Sequence, residues 1–453
     1  NRMNDFRKTA QEMLEFIRIS PTCFHAVANI GRMLEAAGFQ QLQEKEEWKL
    51  EKGGRYYTER NDSSVIAFVI PEKEVGIRGF HMAAAHSDSP CFKIKEKPEL
   101  TVEEHYLRLN TEKYGGMILS TWLDRPLSVA GRLAVKNGNG IEGRLVNIDR
   151  DLCVIPNVAI HMNREMNKGV EYNPQVDLLP LLADVSFDEY DAHTTYDAQT
   201  ASENAEEQPE AVEKPTLVAL AAETAGVDAE TILGEDLFLY TRQEGKMIGA
   251  KGEFVLSPRL DDLQCAFASM EGLLRAQNHG SIAVHCVMDN EEVGSGTKQG
   301  AASTFLKDTL LRINMGLGRT YEEYLMTLAD SFMISADNAH AIHPNHQDCS
   351  DPVNHPYLNG GIVIKFNANQ KYCTDGFSSA VFRDLCRTVN VPVQTFVNRS
   401  DMAGGSTLGN ISNTQVAVDT VDIGLPQLAM HSPYETAGVY DTDYFIKDAA
   451  EFF

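Results

Sequence analysis

Three observations in the amino-acid sequence point to an α/β fold interrupted by a β-rich insertion. Apolar runs alternate with helical stripes up to about Cys91 and again after Gly249, the pattern that builds a layered α/β sheet. Between those points the alternation gives way to strands separated by turn residues. The residues able to do chemistry fall where predicted strands end, which is where open α/β sheets bind ligands. The expected organisation is one domain made from residues 1–91 and 250–453, with an inserted β-rich domain over 92–249.

Taken in order, the chain opens with a helix, because Phe6, Ala10, Met13 and Ile17 recur at helical spacing. Thr22 is placed to cap a second helix with Ala26, Ile30, Met33 and Ala37 on its buried side, stopped at Gly38. Residues 64–70 and 80–85 read as strands, the second running into His86-Ser87-Asp88-Ser89-Pro90. Within the insertion, 103–109, 128–135 and 143–149 are the clearest strands, and Asn137-Gly138-Asn139-Gly140 is a hairpin turn signal. Residues 197–215, rich in Ala, Glu and Gln without an apolar period, read as a mobile surface loop. The apolar run from Ile155 to Met162 calls for burial against some other surface.

After Gly249 the alternation returns. Asp261-Asp262 leads into a helix with Leu263, Ala266, Phe267, Met270, Leu273 and Leu274 on one stripe. Residues 281–287 form a buried strand, and 298–312 a helix with Phe305, Leu306, Leu310 and Ile313 inward. Strands follow at 332–336, 361–366, 392–397 and 415–418, a helix at 376–389, and a terminal helix anchored by Tyr444, Phe445 and Phe452.

Composition narrows the function. The chain has 453 residues, 43% of them hydrophobic, enough for a large core and two domains. Its formal charge of -25, from 40 Lys plus Arg against 65 Asp plus Glu, argues against nucleic acid and anionic membranes as partners. No apolar stretch is long enough to suggest a membrane span, and the amino terminus carries no apolar signal core. The eight cysteines are scattered without a Cys-x-x-Cys pair, so they read as reduced thiols, with Cys265, Cys286 and Cys386 in the core. Together these features point to the cytoplasm.

Glu291 and Glu292 follow the strand 281–287 and precede a Gly-Ser-Gly turn. Neighbouring carboxylates repel, so one holds a cation while the other keeps or takes a proton. A hydrolytic metal site needs that pairing, one ligand and one general base for the attacking water. His86 with Asp88, Asp261 with Asp262, Asp337 and His431 also sit at strand ends or in loops beside them. Histidine and carboxylate ligands on separate strands suit zinc or another divalent ion. Asp88, two residues from His86, is placed to orient its ring, and an aspartate between two metals can bridge them. Each group has a plainer reading: a solvated acidic turn, a hydrogen-bonded histidine, an aspartate capping a helix. Their gathering at one edge of a sheet favours the metal site.

These residues lie in Ala85-His86-Ser87-Asp88-Ser89-Pro90, Ser257-Pro258-Arg259-Leu260-Asp261-Asp262-Leu263, Asp289-Asn290-Glu291-Glu292-Val293-Gly294-Ser295, Ser335-Ala336-Asp337-Asn338-Ala339-His340-Ala341-Ile342-His343-Pro344-Asn345, Gly405-Ser406-Thr407 and Met430-His431-Ser432. With these motifs, in this order, the chain resembles the M18 family of zinc aminopeptidases, the aspartyl aminopeptidase family. The resemblance implies an α/β metallo-aminopeptidase domain of the phosphorylase/hydrolase-like kind with an inserted β-rich dimerisation domain. It implies two divalent ions per subunit, zinc by the family's name, with manganese or cobalt as alternatives. His86, Asp261, Glu292, Asp337 and His431 would be the ligands, with Asp261 bridging, since Asp262 is better placed to cap the helix. Glu291 would be the general base, and Asp88 would orient His86.

By the same resemblance Lys365 lies in the pocket for the substrate's first side chain, a physical reason for preferring acidic amino-terminal residues, and His340, Ser406 and Met430 are further substrate-binding candidates. His161 would be sent into a neighbouring subunit's active site, where it would stabilise an oxyanion. The partners implied are peptide substrates and further copies of the chain, as dimers building a tetrahedral dodecamer. A same-clan metallo-carboxypeptidase or deacylase, and a self-assembling scaffold with a vestigial site, are the competing readings.

Overall fold

Four strands, Ile282–Met288, Phe80–His86, Phe332–Ala336 and Asp419–Gly424, run parallel and side by side at the middle of a mixed sheet. The computed structural model in which they are seen describes residues 2–73, 78–185, 187, 216–277 and 280–453. Among these residues the sheet has nine strands, extended on one side by Ser64–Val69, Arg55–Arg60 and Gln40–Gln41 and on the other by Ile362–Phe366 and Val393–Val397. The central strands are buried on both faces. Side chains alternate between them with period two, so Ala83 and Ala85 join one core cluster while Met82 and Ala84 join the other.

Register then decides what meets at the strand ends. Met288 pairs with His86 and Ser335 with Ala84, so Asp337, two residues beyond Ser335, comes level with His86. The turn carrying Glu291 and Glu292 begins at the same height. A second sheet orders Lys246–Ile248, Phe254–Ser257, Glu435–Gly438, Pro426–Leu428 and Ala339–His340. Its pairing of Ser257 with Glu435 fixes the starts of the segments that bear Asp261 and His431.

The chain separates into two compact units, residues 1–91, 113–121 and 243–453 in one, and 92–112 and 122–242 in the other. The sheet centred on the second unit has six strands among the described residues, in the order Gly140–Asn147, Leu127–Asn137, Ile232–Thr241, Cys91–Val102, Tyr106–Tyr114 and Leu181–Asp184. Asn137 pairs with Gly140 across the tight turn read from the sequence. This is the expected α/β architecture with a separate β-rich part. Among the described residues, no helix is long and apolar enough to cross a membrane.

Several elements differ from expectation. Residues 103–109 are not one strand: Glu103 and Glu104, with φ of 51° and 55°, make the turn between Cys91–Val102 and Tyr106–Tyr114. The helix expected from 298 begins at Phe305. Residues 298–304 are turns, and a Cβ on Gly300 would meet Ser295 O at 2.3 Å, a backbone approach only glycine permits. The strand expected at 415–418 lies instead at Asp419–Gly424, where the buried Asp422 breaks the apolar run. The acidic stretch 197–215 lies outside the described residues. Val158, Ile160 and Met162 of the apolar run are 52%, 45% and 82% exposed in the single chain, so the burial expected for them is not supplied within it.

Candidate metal centre

His86 ends its strand fully buried. Its Nδ1 faces two oxygens of Asp88, the backbone O at 3.0 Å and Oδ1 at 3.1 Å. Both accept, so the proton sits on Nδ1 and Nε2 is left as a ligand atom. Asp88 does more than orient the ring. Its Oδ1 accepts the N–H of Glu291 and its Oδ2 the N–H of Glu292, at 3.2 and 3.1 Å. Tyr114 donates its hydroxyl to Oδ2 at 2.7 Å and accepts from Asn290 Nδ2. One carboxylate thus ties the histidine to the paired glutamates.

His86 Nε2 points at Asp261 Oδ1 (3.4 Å), Asp337 Oδ1 (3.5 Å), Glu291 Oε2 (3.7 Å) and Glu292 Oε1 (4.0 Å). His431 Nε2 points at Asp261 Oδ2 (3.1 Å) and Glu292 Oε2 (3.4 Å). Asp261 therefore turns one oxygen to each imidazole. Donor atoms of His86, Asp261, Asp262 and Asp337 lie within 4.8 Å of one another, and so do those of Asp261, Glu292 and His431. Asp261 thus belongs to two of the three such groups among the described residues, the third joining His86 to Glu291 and Glu292.

The donor set fits divalent cations. Among the described residues, His86 Nε2, Asp261 Oδ1, Asp262 Oδ1 and Glu292 Oε1 are buried polar atoms without a hydrogen-bond partner, an arrangement that is costly unless a cation is the partner. Burial, then the Asp337 carboxylate, pushes Glu291 up to about 10, and burial holds Asp262 well above the usual carboxylate range. Burial opposes protonation of the imidazoles, yet Asp261 and Glu292 push His431 up to about 12 and the surrounding carboxylates raise His86 well above its ordinary value. Negative charge outweighs positive here, and either protons or cations relieve it.

The segments bearing these groups depart from relaxed backbone. Arg259, Asn290 and His431 are non-glycine residues at φ of 52°, 60° and 71°, a region that side chains disfavour and that clusters at functional sites. Side-chain bonds hold the bends: Arg259 Nη2 donates to Ile17 O, and Asn290 Oδ1 accepts from Thr297 and Gln299. Asp262 does not cap its helix as expected. Its Oδ2 accepts the backbone N–H of His86 at 3.0 Å, and the Asp261–Asp262 peptide is cis. The backbone is non-helical at both aspartates, and Asp262 Oδ1 has no hydrogen-bond partner.

A cavity of about 610 Å³ opens beside this cluster, lined in part by Lys365, His340, Ser406, Met430 and Arg399. Lys365 is not an edge residue with its head in water. It is 3% exposed, donates from Nζ to Asp337 O at 2.8 Å and lies over the Tyr372 ring. Thr407, next to Ser406, donates to Asp337 Oδ2. His343 also lines the cavity, and neither it nor His340 belongs to a group of metal-ligating atoms among the described residues. His161 belongs to the second unit and is exposed in the chain. Tyr114 and Glu435 escaped the sequence reading. The first sits in the insertion's sequence span, and the second accepts from backbone N–H groups that no motif reveals.

Two imidazoles and shared carboxylates, gathered from the ends of the central parallel strands and from loops of the second sheet, define a dinuclear metallohydrolase site. The family model described as aminopeptidase I zinc metalloprotease (M18) matches residues 16–453. A probable M18 family aminopeptidase 2 of Clostridium novyi is 46% identical over 448 residues, 98% of each chain. Among solved structures, the complex of Ape4 and Nbr1 is similar with TM-score 0.91 and 35% identity, over 99% of this chain and 86% of that one. The mApe1 dodecamer of Saccharomyces cerevisiae is similar with TM-score 0.82 and 26% identity, over 99% and 97%. The chain belongs to the M18 family and is a metallo-aminopeptidase with a site for two divalent ions.

Proposed function

We propose that the ions are zinc and that His86, Asp261, Glu292, Asp337 and His431 hold them, with Asp261 shared. The observation that carries this reading is the division of the Asp261 oxygens, one toward His86 and one toward His431. When bound, such ions polarise the scissile carbonyl and lower the pKa of the attacking water. Glu291 takes the proton of that water and passes it to the leaving amine; its Oε2 lies near His86 Nε2, and Asp88 fixes its N–H. Lys365 and the cavity around it receive the first side chain. A buried ammonium beside Asp337 and Tyr372 favours a carboxylate there, so Asp and Glu are the preferred amino-terminal residues. His340, Ser406 and Met430 line the same space.

The inserted unit is the dimerisation domain in this reading, and dimers build a tetrahedral dodecamer, by analogy with the similar mApe1 chain, which is a dodecamer in its solved structure. His161, on an exposed apolar segment, completes a neighbouring subunit's site and donates to the developing oxyanion. The free cysteines fit a cytoplasmic enzyme. Purified protein, stripped of metal and reloaded with zinc, manganese or cobalt, tests the reading on aminoacyl and N-acetyl-aminoacyl peptides. Cleavage of free amino termini only, fastest at Asp and Glu, with zinc the most effective ion, is expected. Cleavage of blocked peptides, or release of carboxyl-terminal residues, would favour a deacylase or carboxypeptidase instead.

A further inference from the structure

Glu435 is 2% exposed and opens the strand Glu435–Gly438. Its side chain touches no substrate space, yet its two oxygens face three donors. Oε1 accepts the backbone N–H of Asp261 at 3.2 Å. Oε2 accepts the backbone N–H of His431 and the amide of Gln427, both at 2.9 Å. We propose that Glu435 is a positioning residue for the metal centre, the carboxylate that sets the spacing between Asp261 and His431 and so shapes the group Asp261, Glu292 and His431.

The chemistry requires an acceptor-only group. A glutamine in the same place would turn its NH₂ either on the Asp261 N–H or on the His431 N–H and the Gln427 amide, and each choice sets donor against donor. The carboxylate also fixes polarity further along. Gln427 must present its NH₂ to Glu435, so its Oε1 faces Asn338 Nδ2 at 2.6 Å. Asn338 Nδ2 thereby shares its two N–H groups among Gln427 Oε1, Gln264 Oε1 and Leu260 O, and its Oδ1 accepts from Cys265 Sγ. Asn338 follows Asp337 directly, so three ligand-bearing segments depend on one buried carboxyl group. Partners of this kind, which hold ligands rather than the ion, commonly govern metal affinity.

The inference rests on the ligand assignment above, and the test separates the two. Metal-free protein is titrated with zinc, reading ions per chain by elemental analysis after gel filtration and affinity by competition with a chromophoric chelator. In Glu435→Gln one ion is expected to be retained and the other to bind about 10–100-fold more weakly, while the Tm of the metal-free protein stays close to wild type. Glu435→Asp, which keeps both acceptor oxygens, should recover part of that affinity. Wild-type affinity for both ions in Glu435→Gln would overturn the inference. Equal loss of both ions in both variants, tracking a fall in the metal-free Tm, would also overturn it. If Glu435→Gln does not fold, Glu435→Asp decides: selective weakening of one ion supports the role, and unchanged affinity for both overturns it. His431→Ala distinguishes the failures. If it keeps both ions, the ligand assignment has failed; if it loses one while Glu435→Gln keeps both, only the positioning role has.

Discussion

Two regions break the same partition rule in opposite directions: the strand ends of the first unit and the segment 155–162 of the second. The first buries charge: His86, Asp261, Asp262 and Glu435 are each 3% exposed or less. The second leaves apolar side chains in water along one short segment: Val158, Ile160 and Met162 are 52%, 45% and 82% exposed. Buried charge without matching hydrogen bonds calls for cations, and apolar side chains left in water along one segment call for cover. Each anomaly specifies the chemistry of what would relieve it. The first region therefore brings candidate ligating atoms together within one chain, whereas the segment around His161 leaves its apolar side chains uncovered in the single chain.

The largest expected effect sharpens the first half of that contrast. Glu291→Gln keeps the shape of the side chain and removes the proton acceptor, so kcat should fall roughly 10²–10⁴-fold with two ions still bound by elemental analysis. Glu292→Gln should instead lose metal. The reverse pattern would exchange the roles of the two glutamates.

The second half is tested next. His161→Ala should bind metal and assemble normally, yet lose transition-state stabilisation of roughly 2.7–4 kcal/mol, as oxyanion donors contribute elsewhere. Mixing it with Glu291→Gln chains should restore activity, because one site of each mixed dimer then has an intact base and an intact neighbouring histidine. No recovery, once subunit exchange has been confirmed by native mass spectrometry, would confine His161 to its own chain or to no catalytic role.

Lys365→Met is expected to lower kcat/KM for Asp and Glu termini by about 10–100-fold, the scale of a charge-assisted hydrogen bond. It should leave Leu and Ala termini nearly unchanged. An equal loss on all substrates would mean that the lysine acts through Asp337.

The smallest effect separates the metal centre from ordinary buried polarity. His285, on the strand beside His86, is fully buried with Ser269 Oγ at 2.7 Å, and burial lowers its pKa to about 3. Its stabilisation is present above the unfolded pKa near 6.5 and lost as pH falls toward 3, since only the unfolded state takes the proton. His285→Phe should flatten the fall of Tm between pH 6 and 4, and Ser269 keeps its bond to Cys265 O. A profile parallel to wild type would show that His285 is not part of the acid response.

The sequence made the α/β alternation legible because the central strands are apolar on both faces and their neighbours are striped. It concealed Asp419–Gly424, since Asp422 is a buried carboxylate in mid-strand that accepts from Cys373 N–H. The strand Cys91–Val102 was concealed by Lys93, Lys95 and Lys97 on its solvated face. At the site, His86, Asp261, Glu291, Glu292, Asp337 and His431 stood out as titratable residues at strand ends. Glu435 did not, because its partner Asp261 lies 174 residues away and offers only backbone. Motifs record side chains that face the ligand; they are silent about side chains that face the main chain.

Segment 113–121 belongs with the first unit although the chain on either side of it belongs to the second. There Tyr114 donates to Asp88, Ile118 N–H donates to His431 O, and a Cβ on Gly115 would meet the Glu292 Cβ at 3.2 Å. The insertion is thus not a cassette. A shortened enzyme made by splicing out 92–242 would discard the hydroxyl that steadies Asp88 and the backbone laid against Glu292. Any minimal version must first graft a substitute for those nine residues. A lineage that acquired the insertion and came to use this strand of it could no longer lose it in one deletion without losing the catalyst.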